Sequence, residues 1–162
     1  MLKLIASVDE NWGIGLEQEL LFHIPEDLQW FKRHTVDKTV LLGRKTLESL
    51  PGGKPLPNRK HLLLSHTVQK YEGDVTVCST VEEALRLAEQ EPEVWVIGGE
   101  QVYQLLLPHC EEALITKVRA AGRADKHLPN LDEAPQWQLQ KQTPWQSSHG
   151  VSFCFCQYLR IK

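Results

Sequence analysis

No hydrophobic run in these 162 residues is long enough to cross a bilayer, which takes about 20 apolar residues as a helix. The apolar opening, Leu2 to Val8, is broken by Lys3 and stopped by Asp9. It is also too short for the core and cleavage site of a secretory leader, so a cytoplasmic location is expected, with no membrane partner. Cysteine is sparse. Cys78, Cys110, Cys154 and Cys156 contain no C-x-x-C pair and no disulfide-framework spacing. Cys154 and Cys156 alternate in an apolar run and read as buried thiols on one strand face. Positive charge is not in excess: 18 Lys and Arg against 21 Asp and Glu leave −3. Nothing therefore draws the chain as a whole to nucleic acid or anionic lipid, and an anionic ligand must be held by a local basic cluster. His23, His34, His61, His109, His127 and His149 offer no paired metal spacing, so no metal is expected. Both common phosphate motifs are missing. There is no G-x-G-x-x-G, and Gly53-Lys54 is followed by Pro55 with Glu48 where a Walker motif needs glycine.

What is present fits one globular domain, with 41% hydrophobic and 24% charged residues. Short apolar runs alternate with amphipathic segments. Leu2–Val8, Thr39–Gly43, His61–Ser65, Val75–Cys78, Val94–Ile97 and Ala113–Val118 read as strands, several of them near-continuously apolar, as strands buried on both faces must be. Pro25 opens a helix running to about His34. Ser79 or Thr80 caps another, containing Glu82, Glu83, Ala84 and Leu85, and a third follows Gly98-Gly99 and ends near Pro108. Val151 to Ile161 alternates and has no helix before it, which predicts an antiparallel partner; Gln136–Gln142 is a further strand candidate. The order predicts a single-domain α/β fold with a mostly parallel sheet.

In such sheets ligands sit beyond the carboxyl ends of the strands. Three signals fall there. Gly98-Gly99 joins a buried strand to a helix, which suits either close approach to a ligand or tight packing. Gly43-Arg44-Lys45-Thr46 follows one strand and Ser65-His66 another. If neighbouring strands deliver these turns side by side, they form a small cationic pocket with a hydroxyl; the alternative is a solvated surface cluster. Asp27 lies three and four residues before Trp30 and Phe31, spacings that share a helix face. A first-turn aspartate is usually a helix-dipole partner, a role Glu26 already fills. A carboxylate against aromatic surface instead loses hydration and is suited to bind an amidine-like edge or to handle a proton.

Taken together the segments resemble dihydrofolate reductase over essentially the whole chain. The matching pieces are Leu4-Ile5-Ala6, Gly13-Ile14-Gly15, Ile24-Pro25-Glu26-Asp27-Leu28, Trp30-Phe31-Lys32, Gly43-Arg44-Lys45-Thr46-Leu47-Glu48-Ser49, Leu56-Pro57-Asn58-Arg59 and Val96-Ile97-Gly98-Gly99, continued by Tyr103, Thr116 and Asp125…His127-Leu128-Pro129. The resemblance implies a mixed eight-stranded sheet, parallel except for the C-terminal strand, flanked by four helices. It implies reduction of 7,8-dihydrofolate to tetrahydrofolate, with NADPH as the hydride donor and water supplying the N5 proton. Asp27 would accept hydrogen bonds from the pterin N3 and 2-amino group, with Thr116 as its companion. Ile5, Leu20, Leu28, Phe31 and Leu50 would wall the ligand, and Arg59 would grip its α-carboxylate. Ala6, Ser7, Ile14 and Gly15 would meet the nicotinamide. Gly43, Arg44, Lys45, Thr46, Leu64, Ser65 and His66 would hold the cofactor phosphates, and Ile97, Gly98, Gly99, Glu100, Gln101, Val102 and Tyr103 would follow the pyrophosphate and nicotinamide. A monomer is expected.

The chain departs from the family pattern in two places. Family members often carry Pro-Trp where Leu21-Phe22 stands, and Phe22 has no indole N–H to hold a water near the pterin. Leu20 and Phe22 are nonetheless counted with Asp27 in the catalytic group. Glu100 and Gln101 replace a glycine and a basic residue, so Glu100 is expected to face out, away from pyrophosphate. A related pyrimidine reductase of flavin synthesis and a non-catalytic nucleotide-binding protein are the alternatives.

Overall fold

The computed structural model describes residues 1–16, 19–20, 22–67, 69–121 and 123–161, with the backbone alone at 16, 19 and 20. In chain order the first elements are β1 (Leu2–Val8), β2 (Gly13–Leu16), β3 (Glu19–Leu20), α1 (Pro25–Thr35), β4 (Thr39–Gly43) and α2 (Arg44–Ser49). Next come β5 (Lys60–Leu64), β6 (Val75–Cys78), α3 (Val81–Ala88), β7 (Val94–Gly98), α4 (Glu100–Leu106) and β8 (Glu112–Val118). The chain closes with β9 (Lys126–His127), β10 (Trp137–Gln142), β11 (Gln146–Ser148) and β12 (Val151–Arg160).

The main sheet runs β10-β12-β8-β1-β7-β4-β5-β6. β10 and β11 lie end to end along one edge of β12, at Cys156–Arg160 and Val151–Phe153, so the sheet is eight strands wide. β12 is antiparallel to its neighbours, while the β8-β1-β7-β4-β5-β6 pairs are all parallel. The apolar runs became the central strands because both their faces are covered: Val40, Leu41 and Leu42 in β4 and Leu62 and Leu63 in β5 are all buried. The sequence pattern did not reveal α2 or the small sheet β3-β2-β9.

The two faces pack differently. One carries a single cluster that includes Leu4, Leu41, Leu62, Val96, Ile115, Cys154 and Tyr158, closed over by Ala84 and Ala88 of α3 and Val102, Tyr103 and Leu106 of α4. The other face is divided into separate groups around Ile5–Val40–Trp95–Leu114, Ile24–Val118–Phe153 and Leu42–Leu47–Leu63. α1 lies on this divided face through Trp30 and Phe31. Thus β1 and β7 are neighbours whose following helices, α1 and α4, lie on opposite faces. That is the switch point where an open α/β sheet leaves a crevice beyond its carboxyl ends.

Local caps fix the helices on this frame. Thr80 Oγ1 accepts the Glu83 amide at 3.1 Å, and Glu83 returns its carboxylate to the Ser79 amide at 3.2 Å. Thr80→Ala is expected to lower stability by about 1 kcal/mol, read in urea unfolding. The corresponding drop in Tm is roughly 2–4 °C. α1 has Pro25 in its first turn, acids Glu26 and Asp27 near its N-terminus and Lys32, Arg33 and His34 near its end, each favourable to the helix dipole.

Candidate active site

Asp27 sits in the first turn of α1, over the carboxyl end of the β1–β8 pair. Ser7 and Thr116 are direct partners in that ladder, and Thr116 Oγ1 donates to Asp27 Oδ1 at 2.6 Å. Burial pushes the Asp27 carboxyl above its ordinary value of 3.8, and the Thr116 and Ser7 hydroxyls pull it part of the way back. Thr116 makes the hydrogen bond of good geometry; the buried Ser7 Oγ lies near the same carboxylate but forms none. The aromatic surroundings follow the helix spacing. Trp30 stacks on Phe155 with centroids 4.1 Å apart, and Phe31 packs on the Ile5 cluster. Below, the buried Tyr103 hydroxyl donates to the Ile5 carbonyl at 2.8 Å. Burial, with a smaller contribution from Asp27, raises that phenol far above its ordinary range, so it stays a neutral donor.

Apolar side chains flank Asp27 along the divided face. Ile5 is buried, Phe31 and Leu50 are half-buried, and Leu28 leaves 50% of its surface open. Phe22 packs on the Ile24–Val118–Phe153 group. The side chain of Leu20, and Leu21 altogether, lie outside the described residues. Arg59, in the loop before β5, meets the far end of α1. Its Nε donates to Thr35 Oγ1 at 2.9 Å, its Nη1 donates to the Pro57 carbonyl at 2.7 Å, and its guanidinium lies 6.0 Å from the Phe31 ring. Only 9% of Arg59 is exposed, and it has no salt bridge among the described residues. Thr35 is eight residues beyond Asp27, so α1 spaces the cation about 12 Å from the carboxylate along its axis. A carboxylate at one end, a fork-shaped cation at the other and apolar side chains along the same face could accommodate an elongated ligand. Two hollows of about 670 and 590 Å³ open elsewhere. Arg59 borders the larger, but Asp27 and Thr116 line neither, so the chemistry of Asp27 rather than cavity size locates the site.

Across β1 and β7 lie the basic and glycine turns. β4 and β5 are adjacent with Gly43 opposite Leu64, which brings the Arg44 and Ser65-His66 turns side by side. Arg44 and Lys45 are exposed, as is His66; Arg44 is partly neutralised by Glu48 at 3.0 Å, and Ser65 Oγ accepts the Thr67 amide at 3.1 Å. Gly98 pairs with Leu42, and the Gly98–Gly99 peptide is cis. A Cβ on either glycine would come 3.2 Å from Thr46 Oγ1, a tight contact, and Gly98 has φ +141°, a conformation that strains any side chain there. Ile97 is half-buried between two of the core groups, Val102 is buried, and Gln101 is exposed. Ala6 is half-buried at the end of β1, while Ile14 and Gly15 lie on β2.

A family model described as dihydrofolate reductase matches residues 1–160. The chain belongs to the dihydrofolate reductase family. A dihydrofolate reductase of Neisseria meningitidis is 36% identical over 99% of this chain and 99% of its own length. One of Bacillus subtilis is 35% identical over 86% and 81%. The solved dihydrofolate reductase of Enterococcus faecalis, complexed with NADP(H) and RAB-propyl, superposes with a TM-score of 0.89 at 32% identity, covering 100% of this chain and 97% of that one.

Glu100 stands at the start of α4, and its Oε2 accepts the exposed His127 amide of β9 at 2.7 Å, a partner the sequence did not reveal. The exposed position of that amide leaves it free to seek an acceptor, and the first turn of α4 lies within reach. Sequence reading also missed Asp9. It is 3% exposed, and its Oδ1 accepts the Asn11 and Gly13 amides, each at 2.8 Å, shaping the turn into β2. The D-x-N-x-G spacing of an Asx-type turn was the available signal.

Proposed function

We propose that the chain is an NADPH-dependent dihydrofolate reductase, reducing 7,8-dihydrofolate to 5,6,7,8-tetrahydrofolate in one-carbon metabolism. The observation that carries the reading is the half-buried Asp27 carboxylate, hydrogen-bonded to Thr116 at the mouth of the divided face. The residues fit the cofactor. Ser7 Oγ is a buried hydroxyl without a partner, suited to the nicotinamide amide, and the Gly98-Gly99 backbone offers a cradle that any Cβ would fill. When bound, NADPH supplies the hydride that the C6 position of the dihydropterin receives.

The chain's own contribution is binding, orientation and electrostatics. Asp27 accepts from the pterin N3 and 2-amino group and anchors that edge. It lies on the far side of the pterin from N5, so water delivers the N5 proton and Asp27 tunes the ring. Ile5, Leu28, Phe31 and Leu50 exclude water along the ring system, and Phe22 closes the same side. Arg59 takes the α-carboxylate, which its planar fork matches. Arg44, Lys45, Thr46, Ser65 and His66 would hold the dinucleotide phosphates, and Ile14 and Gly15 would meet the nicotinamide. The enzyme works as a cytoplasmic monomer.

The test follows NADPH absorbance with dihydrofolate as substrate. Turnover is expected with dihydrofolate and not with the ribosylamino-pyrimidine precursor of flavins. Turnover with the precursor alone would make the chain a flavin-pathway reductase. NADPH binding without either turnover would leave a nucleotide-binding protein.

A further inference from the structure

Glu100 is an acid where the resemblance places a pyrophosphate, and the hydrogen bond it makes shows what it does instead. β9 is held on one side by β2: Asp125 N donates to Gly15 O at 3.0 Å, Leu128 N to Trp12 O at 2.9 Å, and His127 pairs with Gly13. The two segments are in close contact, since a Cβ on Gly13 would fall 2.4 Å from Ala124 Cβ. On its other side β9 reaches α4 through the His127 amide and Glu100 Oε2, 2.7 Å apart. No cation stands in the first turn of α4 to draw the carboxylate elsewhere, since the next residues are Gln101, Val102 and Tyr103. A charge-assisted bond from a backbone amide is among the stronger kinds available at a surface.

We propose that Glu100 is a positioning residue that clamps the β2–β9 ribbon to the start of α4. The ribbon bearing Ile14 and Gly15 and the Gly98-Gly99 turn are then held as one body. The same bond turns the Glu100 charge toward β9 and away from the glycine turn. The dinucleotide half of this proposal rests on the reductase reading above; the clamp itself does not.

Amide hydrogen exchange at His127 in the full chain tests the clamp directly, because that exposed amide has Glu100 as its acceptor. Glu100→Ala is expected to speed its exchange at least about fivefold. Glu100→Gln retains an uncharged acceptor and should speed it about twofold. NADPH affinity, read by fluorescence titration, is expected to weaken roughly three- to tenfold in Glu100→Ala and to stay within about twofold in Glu100→Gln. Unchanged His127 exchange in Glu100→Ala would overturn the clamp. Equal tightening of NADPH in both variants would also overturn the proposal, by showing that Glu100 acts on the dinucleotide only as a repelling charge. A wild-type chain that binds no NADPH would sink the reductase reading. The exchange result would then decide the clamp alone: acceleration upholds it and constancy refutes it.

Discussion

Asp27→Asn should lower kcat/KM for dihydrofolate about 10²–10³-fold near neutral pH while leaving the protein at least as stable as wild type. The loss in turnover has a simple source. A carboxylate held in a half-buried site accepts from a ligand edge far more strongly than an amide does, and removing one side of such a charged contact costs roughly 3–4 kcal/mol. The stability half follows from proton linkage. Burial is the largest influence on Asp27 and raises its folded pKa above the ordinary 3.8. The folded state therefore holds this proton more tightly than the unfolded chain does. Below 3.8 the group is neutral in both states and costs nothing. As pH rises from there through the folded pKa, the penalty of a desolvated carboxylate develops, and above it the penalty is complete. Asparagine carries no charge and its carbonyl can still accept the Thr116 hydroxyl, so the variant lacks that decline. Urea unfolding at pH 3.5 and pH 7 should show the variant gaining on wild type as pH rises. If instead the variant turned over normally and was less stable at pH 7, Asp27 would be a helix-dipole partner and no part of the chemistry.

Helix geometry explains why the carboxylate could be singled out from the sequence. Trp30 and Phe31 at i+3 and i+4 predict an apolar neighbourhood whatever the rest of the fold does, because helix geometry alone sets it. The strands were legible for a similar reason: Leu2–Val8, Thr39–Gly43 and Val75–Cys78 are short apolar runs whose ends coincide with the strands observed. What stayed hidden depends on partners distant along the chain. α2 starts with Arg44 and Lys45, two cations at the end of a helix where the dipole disfavours them, and buries only Leu47. β9 is two exposed residues, Lys126 and His127, and becomes a strand only because β2 lies beside it. The partner of Glu100 is a backbone amide 27 residues away, and a backbone amide leaves no mark in a sequence. Arg59 is an intermediate case. Its residue type hinted at carboxylate binding only through the family resemblance, since an arginine in a Pro-Asn-Arg loop is ordinarily exposed.

The burial of Arg59 makes it the second variant of large effect. Thr35 Oγ1 and the Pro57 carbonyl hold its Nε and Nη1, but no carboxylate among the described residues forms an ion pair with it. Burial lowers its pKa, and Asp37, the opposing influence, offsets that only in part. A guanidinium so placed is costly to the fold unless something anionic arrives. Arg59→Met removes the charge while keeping an unbranched chain that can lie against Phe31. It is expected to leave stability unchanged or to raise it by about 1–3 kcal/mol, as apolar replacement of buried ionic groups often does. The same change should raise KM for dihydrofolate about 100-fold, with kcat changed far less, because the α-carboxylate is bound equally in ground and transition states. Arg59→Lys separates charge from shape. It retains a cation but loses the planar fork that can grip two oxygens at once, so its KM should fall between those of wild type and Arg59→Met. A truncated substrate lacking the glutamate α-carboxylate supplies the control, since wild type and Arg59→Met should bind it alike. Should Arg59→Met destabilise the protein by several kcal/mol and leave KM untouched, the bonds to Thr35 and Pro57 would be the reason for the arginine, and the anchor of the ligand's carboxylate would have to be sought elsewhere along α1.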